Sequence, residues 1–125
     1  MAGITFDAGG LIALDRNDRP VLVLVARAAE TGARVTIPAT ALAQAIRQPQ
    51  RQARLARLVR QPTTDLVPLD QVDATNVGRL LLASATADIA DAHVVICARR
   101  AGQGVVTSDP DDLTNLDPRI GLVIV

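Results

Sequence analysis

Short apolar segments of strand length recur along this chain, and helix-length stretches separate them. The strand-length segments run Gly3 to Phe6, Arg34 to Ile37, Asp65 to Leu69, Gly104 to Thr107 and Gly121 to Val125. Hairpins join consecutive strands by short turns, and here whole helices intervene. Strands so spaced lie parallel, linked by right-handed crossovers whose helices cover the sheet. The expected fold is α/β, with a mainly parallel sheet and helices on both faces. A length of 125 residues suits one domain, 1–125, and is short for two.

The helices carry their own punctuation. Ala8 to Leu14 is predicted as a first helix, with Gly9 and Gly10 permitting close backbone approach just after the first strand. Asp18 and Pro20 open a second helix and Gly32 closes it. Inside it, VLVLV also reads as a strand, but length and the ARAAE tail favour helix. Thr40 to Arg47 reads as helical, and Pro49 begins a further helical stretch to about Arg60. Asp70 caps a helix running to about Ala83, and Asp88 opens one that ends at Ala101 before Gly102.

Composition removes several function classes. Formal net charge is zero, so no global field advertises nucleic acid or membrane. All 13 basic residues are Arg, which fits a compositional bias and also suits phosphate recognition. Phe6 is the single aromatic residue, so the stacking platforms of common single-strand binders are missing. Cys97 and His93 are each the only residue of their type, which excludes an internal disulfide and a zinc site of four N/S ligands. The N-terminus lacks the basic-then-apolar order of a signal peptide, and apolar runs such as VLVLVA are too short to span a bilayer. A cytoplasmic protein without a membrane partner is expected.

The acids are placed more pointedly. Asp7 directly follows the first strand and Asp109 follows GVVTS. In parallel sheets, sites form beyond the carboxyl ends of the strands. If these two strands are neighbours, both carboxylates project over one edge, near the helix start that bears Asp88 and Asp91. At 100° per residue, Val94, Val95, Ala98 and Ala101 fall within about 80° of Asp91, which puts it on the core stripe. His93 and Arg100 fall on the opposite, wet side of that wheel. A carboxylate facing the core needs a partner, and a divalent cation would serve. Plainer readings stand beside this one. Asp88 with Asp91 also fits an N-cap followed by a first-turn acid, SDPDD also fits a turn, and Asp111 is a solvated turn residue.

FDAG, DIADAHVVICARR and VVTSDPDDL, in this order and spacing, resemble the PIN-domain family. Within it they are similar to the VapC-type toxin ribonucleases of bacterial toxin–antitoxin pairs. The likeness spans essentially the whole chain. It implies a PIN-like three-layer α/β/α fold and an endoribonuclease that uses Mg2+ or Mn2+. It also implies an RNA substrate, a small antitoxin partner and a homodimer. Carried over by position, Asp7, Asp91 and Asp109 are the catalytic acids and metal ligands, with Asp88 an added ligand. One position departs from the pattern. In TIPATALAQAIRQ, Gln44 stands where the family usually carries Glu. An amide can orient a water but brings no charge, so Gln44 reads either as a weakened supporting group or as a helix residue without a role. Thr107, Ser108 and Asp112 are further supporting candidates, the hydroxyls by holding a water or phosphate oxygen. A catalytically degenerate PIN domain that binds RNA or protein is the alternative. A phosphatase or DNA nuclease on a similar acidic site is a third reading.

Finally, RQPQRQARLARLVRQ strings together Arg47, Arg51, Arg54, Arg57 and Arg60. On one continuous helix the first three lie within about 60° of each other, with Pro49 as a possible break. The stripe reads as a guide for RNA phosphates or as a solvated face.

Overall fold

The structure, a computed structural model, describes residues 3–125. Five strands, β1 (Ile4–Phe6), β2 (Val35–Pro38), β3 (Thr64–Val67), β4 (Gly104–Thr107) and β5 (Leu122–Ile124), form one sheet in the order β3-β2-β1-β4-β5. Every pairing is parallel. The helices are α1 (Ala8–Asp15), α2 (Arg19–Thr31), α3 (Ala39–Ala45), α4 (Ala53–Val59), α5 (Gln71–Ser84), α6 (Ile89–Ala101) and α7 (Pro110–Leu116). Helices α1, α2 and α4 pack together, as do α5, α6 and α7, giving three α/β/α layers. Strands β1 and β2 are buried throughout, as expected of strands covered on both faces, and the edge strands β3 and β5 are partly exposed.

The order of the strands fixes where a site can open. From β1 the chain winds one way to β2 and β3, then returns to place β4 on the other side of β1. The crossovers therefore diverge between β1 and β4, and a crevice opens beyond their carboxyl ends. The register Thr5 to Val105 and Phe6 to Val106 brings the two strands to that edge almost level. Asp7 and the turn after Thr107 follow directly.

Local chemistry sets most of the boundaries. Asp7, Asp18, Asp70 and Asp88 cap α1, α2, α5 and α6 by accepting a backbone N–H in the first turn. Gly32 and Gly102 close α2 and α6 in the left-handed conformation. The VLVLV run is helical, inside α2. No single helix among the described residues is long and apolar enough to cross a membrane.

Three expectations need correction. The stretch from Pro49 to Arg60 is not one helix. Pro49–Arg51 forms a 3-10 turn, and the chain breaks at Gln52 before α4 begins. The cause is a buried knot. Gln52 Nε2 donates to Asp15 Oδ2 and to the Ala45 carbonyl, both at 2.8 Å, and its Oε1 accepts from Arg47 N–H at 2.9 Å. Second, SDPDD is not only a turn. Pro110, with its pre-set φ, starts α7, and Leu113 and Leu116 anchor that helix in the core. Third, His93 does not face water: it is 0% exposed. A helical wheel assumes one buried side, but α6 packs against β1, β2 and β4 as well as α3, α5 and α7. A helix apolar on nearly every side is an interior helix, and α6 is one.

Candidate functional site

The crevice at the β1/β4 switch point is lined by carboxylates from three parts of the chain. Asp7 leaves β1 and caps α1, its Oδ1 accepting Gly10 N–H at 2.8 Å. This turn is tight. A Cβ at Gly10 would strike the Val106 carbonyl of β4, and one at Gly9 would strike Ser108 Oγ. Glycine at both positions lets the start of α1 close onto the end of β4, which brings Asp7 toward the Asp109 turn.

Thr107, fully buried at the end of β4, ties the two acids together. Its Oγ1 accepts Asp109 N–H at 3.0 Å, and its hydroxyl donates to the Asp7 carboxylate. Asp109 occupies the cap position of α7, yet its side chain makes no capping bond. Its carboxyl lies instead beside that of Asp112, one turn along, and raises it. From the third direction, Asp88 caps α6 by accepting Asp91 N–H at 2.9 Å, and Asp91 itself is half-buried in the first turn.

Electrostatics show that these groups form one cluster. Burial, and then the charges of Asp88, Asp7, Asp112 and Asp109, push Asp91 up to about 7. Burial also raises Asp7, outweighing its hydrogen bonds from Thr107 and Gly10, and Asp109 adds to the rise. Asp112 is raised chiefly by the neighbouring charge of Asp109. The charges that act most on Asp91 are all carboxylates. This much like charge around a half-buried acid is unfavourable unless a proton or an opposite charge offsets it.

The supporting candidates scatter more. Ser108 is exposed beside the Gly9 turn, so its hydroxyl stands at the rim of the crevice. Gln44 is exposed on α3 and shares an open groove with Thr40, Ala43, Asp88 and Ile89. Asp111 is exposed and adds to the charge around Asp112. Arg47, Arg51 and Arg54 are exposed, but the Gln52 break puts them on three different segments rather than on one helical face. Arg54 and Arg57 rim an apolar groove floored by Leu14, Leu22, Val25 and Leu58. Arg60 borders another with Leu42, Ile46, Leu55 and Val59.

A second polar cluster escaped the sequence reading. Asp73 of α5, 2% exposed, takes a bidentate pair from Arg100 at 2.7 and 2.9 Å and a contact from His93 Nε2 at 3.2 Å. His93 Nδ1 lies 2.8 Å from Thr40 Oγ1 on α3. The Arg100 hydrogen bonds hold Asp73 down at about 2 against its burial. The sequence signal was the uninterrupted apolar run around His93, which marks α6 as interior and its lone histidine as partnered.

No protein-family model and no curated protein matches the chain. Solved structures do. FitAcB from Neisseria gonorrhoeae superposes with a TM-score of 0.60 at 16% identity, over 95% of each chain. FitAB bound to an IR36 DNA fragment gives a TM-score of 0.61 at 14% identity, covering 97% of this chain and 94% of that one. VapBC2 from Rickettsia felis, bound to a DNA fragment from its promoter, gives 0.68 at 12% identity over 98% of both. At these identities the likeness is one of fold, and it extends over nearly the full length of each.

Proposed function

We propose that the chain is a metal-dependent endoribonuclease of the PIN, VapC-like type and the toxin half of a toxin–antitoxin pair. The observation that carries the reading is the convergence of Asp7, Asp88, Asp91, Asp109 and Asp112 at the β1/β4 crevice, with Asp91 pushed up to about 7 by burial and by the other four. The fold shared with FitAB and VapBC2 supports it, as do the motifs FDAG, DIADAHVVICARR and VVTSDPDDL.

The donor set fits a hard dication. Every candidate ligand is a carboxylate oxygen, the preference of Mg2+ and Mn2+, and the cluster's excess negative charge is what such an ion neutralises. Asp7, Asp91 and Asp109 would hold it. Asp88 and Asp112, at the exposed rim, would hold waters around it. The chemistry such an ion supplies is Lewis-acid activation of a water nucleophile and relief of the charge that builds on the scissile phosphate. The chain's own residues prepare the place for it. Thr107 bonds the Asp7 carboxylate and the Asp109 backbone N–H. Gly10 N–H orients the Asp7 carboxylate. In the ion-free protein Asp91 holds its proton far more tightly than an ordinary carboxyl, and a bound ion would displace that proton to solvent. Ser108, exposed at the rim, would donate its hydroxyl to a phosphate oxygen. Arg47, Arg51 and Arg54 would meet RNA phosphates as separate points around the Gln52 elbow, not as a stripe.

FitAB and VapBC2 are two-component assemblies captured on DNA. By that likeness we propose a small antitoxin partner for this chain, and the apolar groove rimmed by Arg54 and Arg57 is a suitable place for its apolar and acidic side chains. A homodimer and a cytoplasmic setting belong to the same proposal. Gln44 favours a second reading, a degenerate domain that binds RNA or protein without cutting, because it puts a neutral amide beside Asp88. Incubation of the purified chain with structured RNA and DNA, in Mn2+ or EDTA, separates the two. The nuclease reading expects RNA cleavage that needs Mn2+ and is lost in Asp91→Ala. Binding without cleavage in the wild type would establish the second reading instead.

A further inference from the structure

Away from the acidic crevice, among the described residues, ligand atoms of three different kinds come together. Asp73, His93 and Cys97 are all buried, and one ligand atom from each lies within 4.8 Å of the others. His93 and Cys97 stand four residues apart on α6, which puts them on one face, and Asp73 faces them from α5. We propose that these three residues form a binding site for a borderline-soft dication such as Zn2+, with Arg100 as the displaceable cation that covers it. The site is separate from the oxygen-only cluster, and the inference stands whether or not that cluster cuts RNA.

The chemistry of the trio supports this assignment. A carboxylate, an imidazole and a thiol are the three ligand types zinc prefers, and three protein ligands with one open position is a common zinc arrangement. Bonds of about 2.0–2.3 Å at tetrahedral angles separate ligand atoms by about 3.3–3.8 Å, so only a small closure is required. His93 Nε2 faces the Asp73 carboxylate, which can only accept, so the ring proton sits on Nε2 without an ion. On binding, that proton moves to Nδ1, where Thr40 Oγ1 at 2.8 Å accepts it, the outer hydrogen bond of a ligating histidine.

Charge balance explains the role of Arg100. Without an ion, the guanidinium neutralises Asp73 and reaches to 3.9 Å of Cys97 Sγ. The Arg100 side chain is 52% exposed, so it can leave the pocket for water without disturbing the core. On binding, Cys97 releases its thiol proton to solvent. Thiolate and carboxylate then balance the dication, and neutral His93 supplies the third bond. The first turn of α5 is thereby pinned to the middle of α6.

Co2+ added to the full chain is the direct probe. A thiolate-bound, near-tetrahedral Co2+ absorbs in the near ultraviolet by sulfur-to-metal charge transfer, and an oxygen-only site does not. The expected result is such a band in the wild type and in Asp91→Asn, displaced by Zn2+, and its loss in Cys97→Ser. Thr40→Val should weaken binding about tenfold, the usual cost of losing an outer hydrogen bond. Arg100→Gln should tighten it about tenfold or more by removing a competing charge at contact range. If Cys97→Ser fails to fold, the Arg100→Gln comparison carries the test alone. A wild type with no charge-transfer band, a band that survives in Cys97→Ser, or weaker binding in Arg100→Gln would overturn the proposal.

Discussion

Asp73 and Asp91 lie on neighbouring helices of the same layer, and the protein treats them in opposite ways. Asp73 is almost fully buried, yet its pKa is held down at about 2, because Arg100 and His93 return more than burial takes away. Asp91 is half-buried and rises to about 7, first because burial disfavours its charge and then because its strongest neighbours are other carboxylates. Burial alone therefore does not decide the state of an acid in this fold; a cationic partner can outweigh it, and like charges add to it. Without an ion, the first cluster has its charge balanced by Arg100, and the second is left with an excess of negative charge.

Removing the carboxylate from the charge-balanced cluster should have the largest effect. Asp73→Ala leaves Arg100 without its partner and His93 with an unmet ring nitrogen, and should cost about 3–5 kcal/mol in chemical denaturation. A loss below about 1 kcal/mol would mean that the two clusters do not differ as described. Next, Asp91→Ala should lower Mn2+-dependent RNA cleavage by at least about 100-fold in single-turnover assays, comparable to the loss of a major electrostatic group. In the ion-free protein the sign reverses. Asp91→Asn removes a charge that folding disfavours and should stabilise the chain by about 2 kcal/mol at pH 8, after allowance for partial exposure.

The pH dependence sharpens the contrast. Asp91 binds its proton more tightly folded than unfolded, so its contribution is favourable below the unfolded value of about 4 and is lost as pH rises toward 7. Asp73 binds its proton less tightly folded, so its contribution is present above about 4 and is lost as pH falls toward 2. Melting curves of the ion-free wild type between pH 4 and 7 should therefore carry a downward slope that Asp91→Asn flattens. The smallest effect belongs to Gln44. Restoring a charge with Gln44→Glu should strengthen Mn2+ binding roughly tenfold, near one pKa unit's worth of free energy.

How much of this was legible in sequence depended on the range of the interaction. Strand and helix alternation, the Asp caps and the Gly stops act within a few residues, and the expected three-layer parallel fold is the one observed. Asp7 and Asp109 were legible as a pair because two strand ends in a parallel sheet share one edge, and the β1–β4 pairing puts them there. The Gln52–Asp15 knot was not legible, since a contact between residues 37 apart leaves no periodic trace, and it split a stretch that propensity alone would make one helix. His93 was misplaced for a related reason. The wheel gives a helix one wet side, and α6 has almost none along its buried middle.

The central claim is that the β1/β4 cluster holds its acids in wait for a hard dication. Melting the wild type and Asp7→Asn with and without Mn2+ tests it most directly, since Asn keeps the cap on α1 and removes only the charge. The account predicts a rise in Tm with Mn2+ for the wild type and little or none for Asp7→Asn. Equal shifts in both, or none in the wild type, would contradict it.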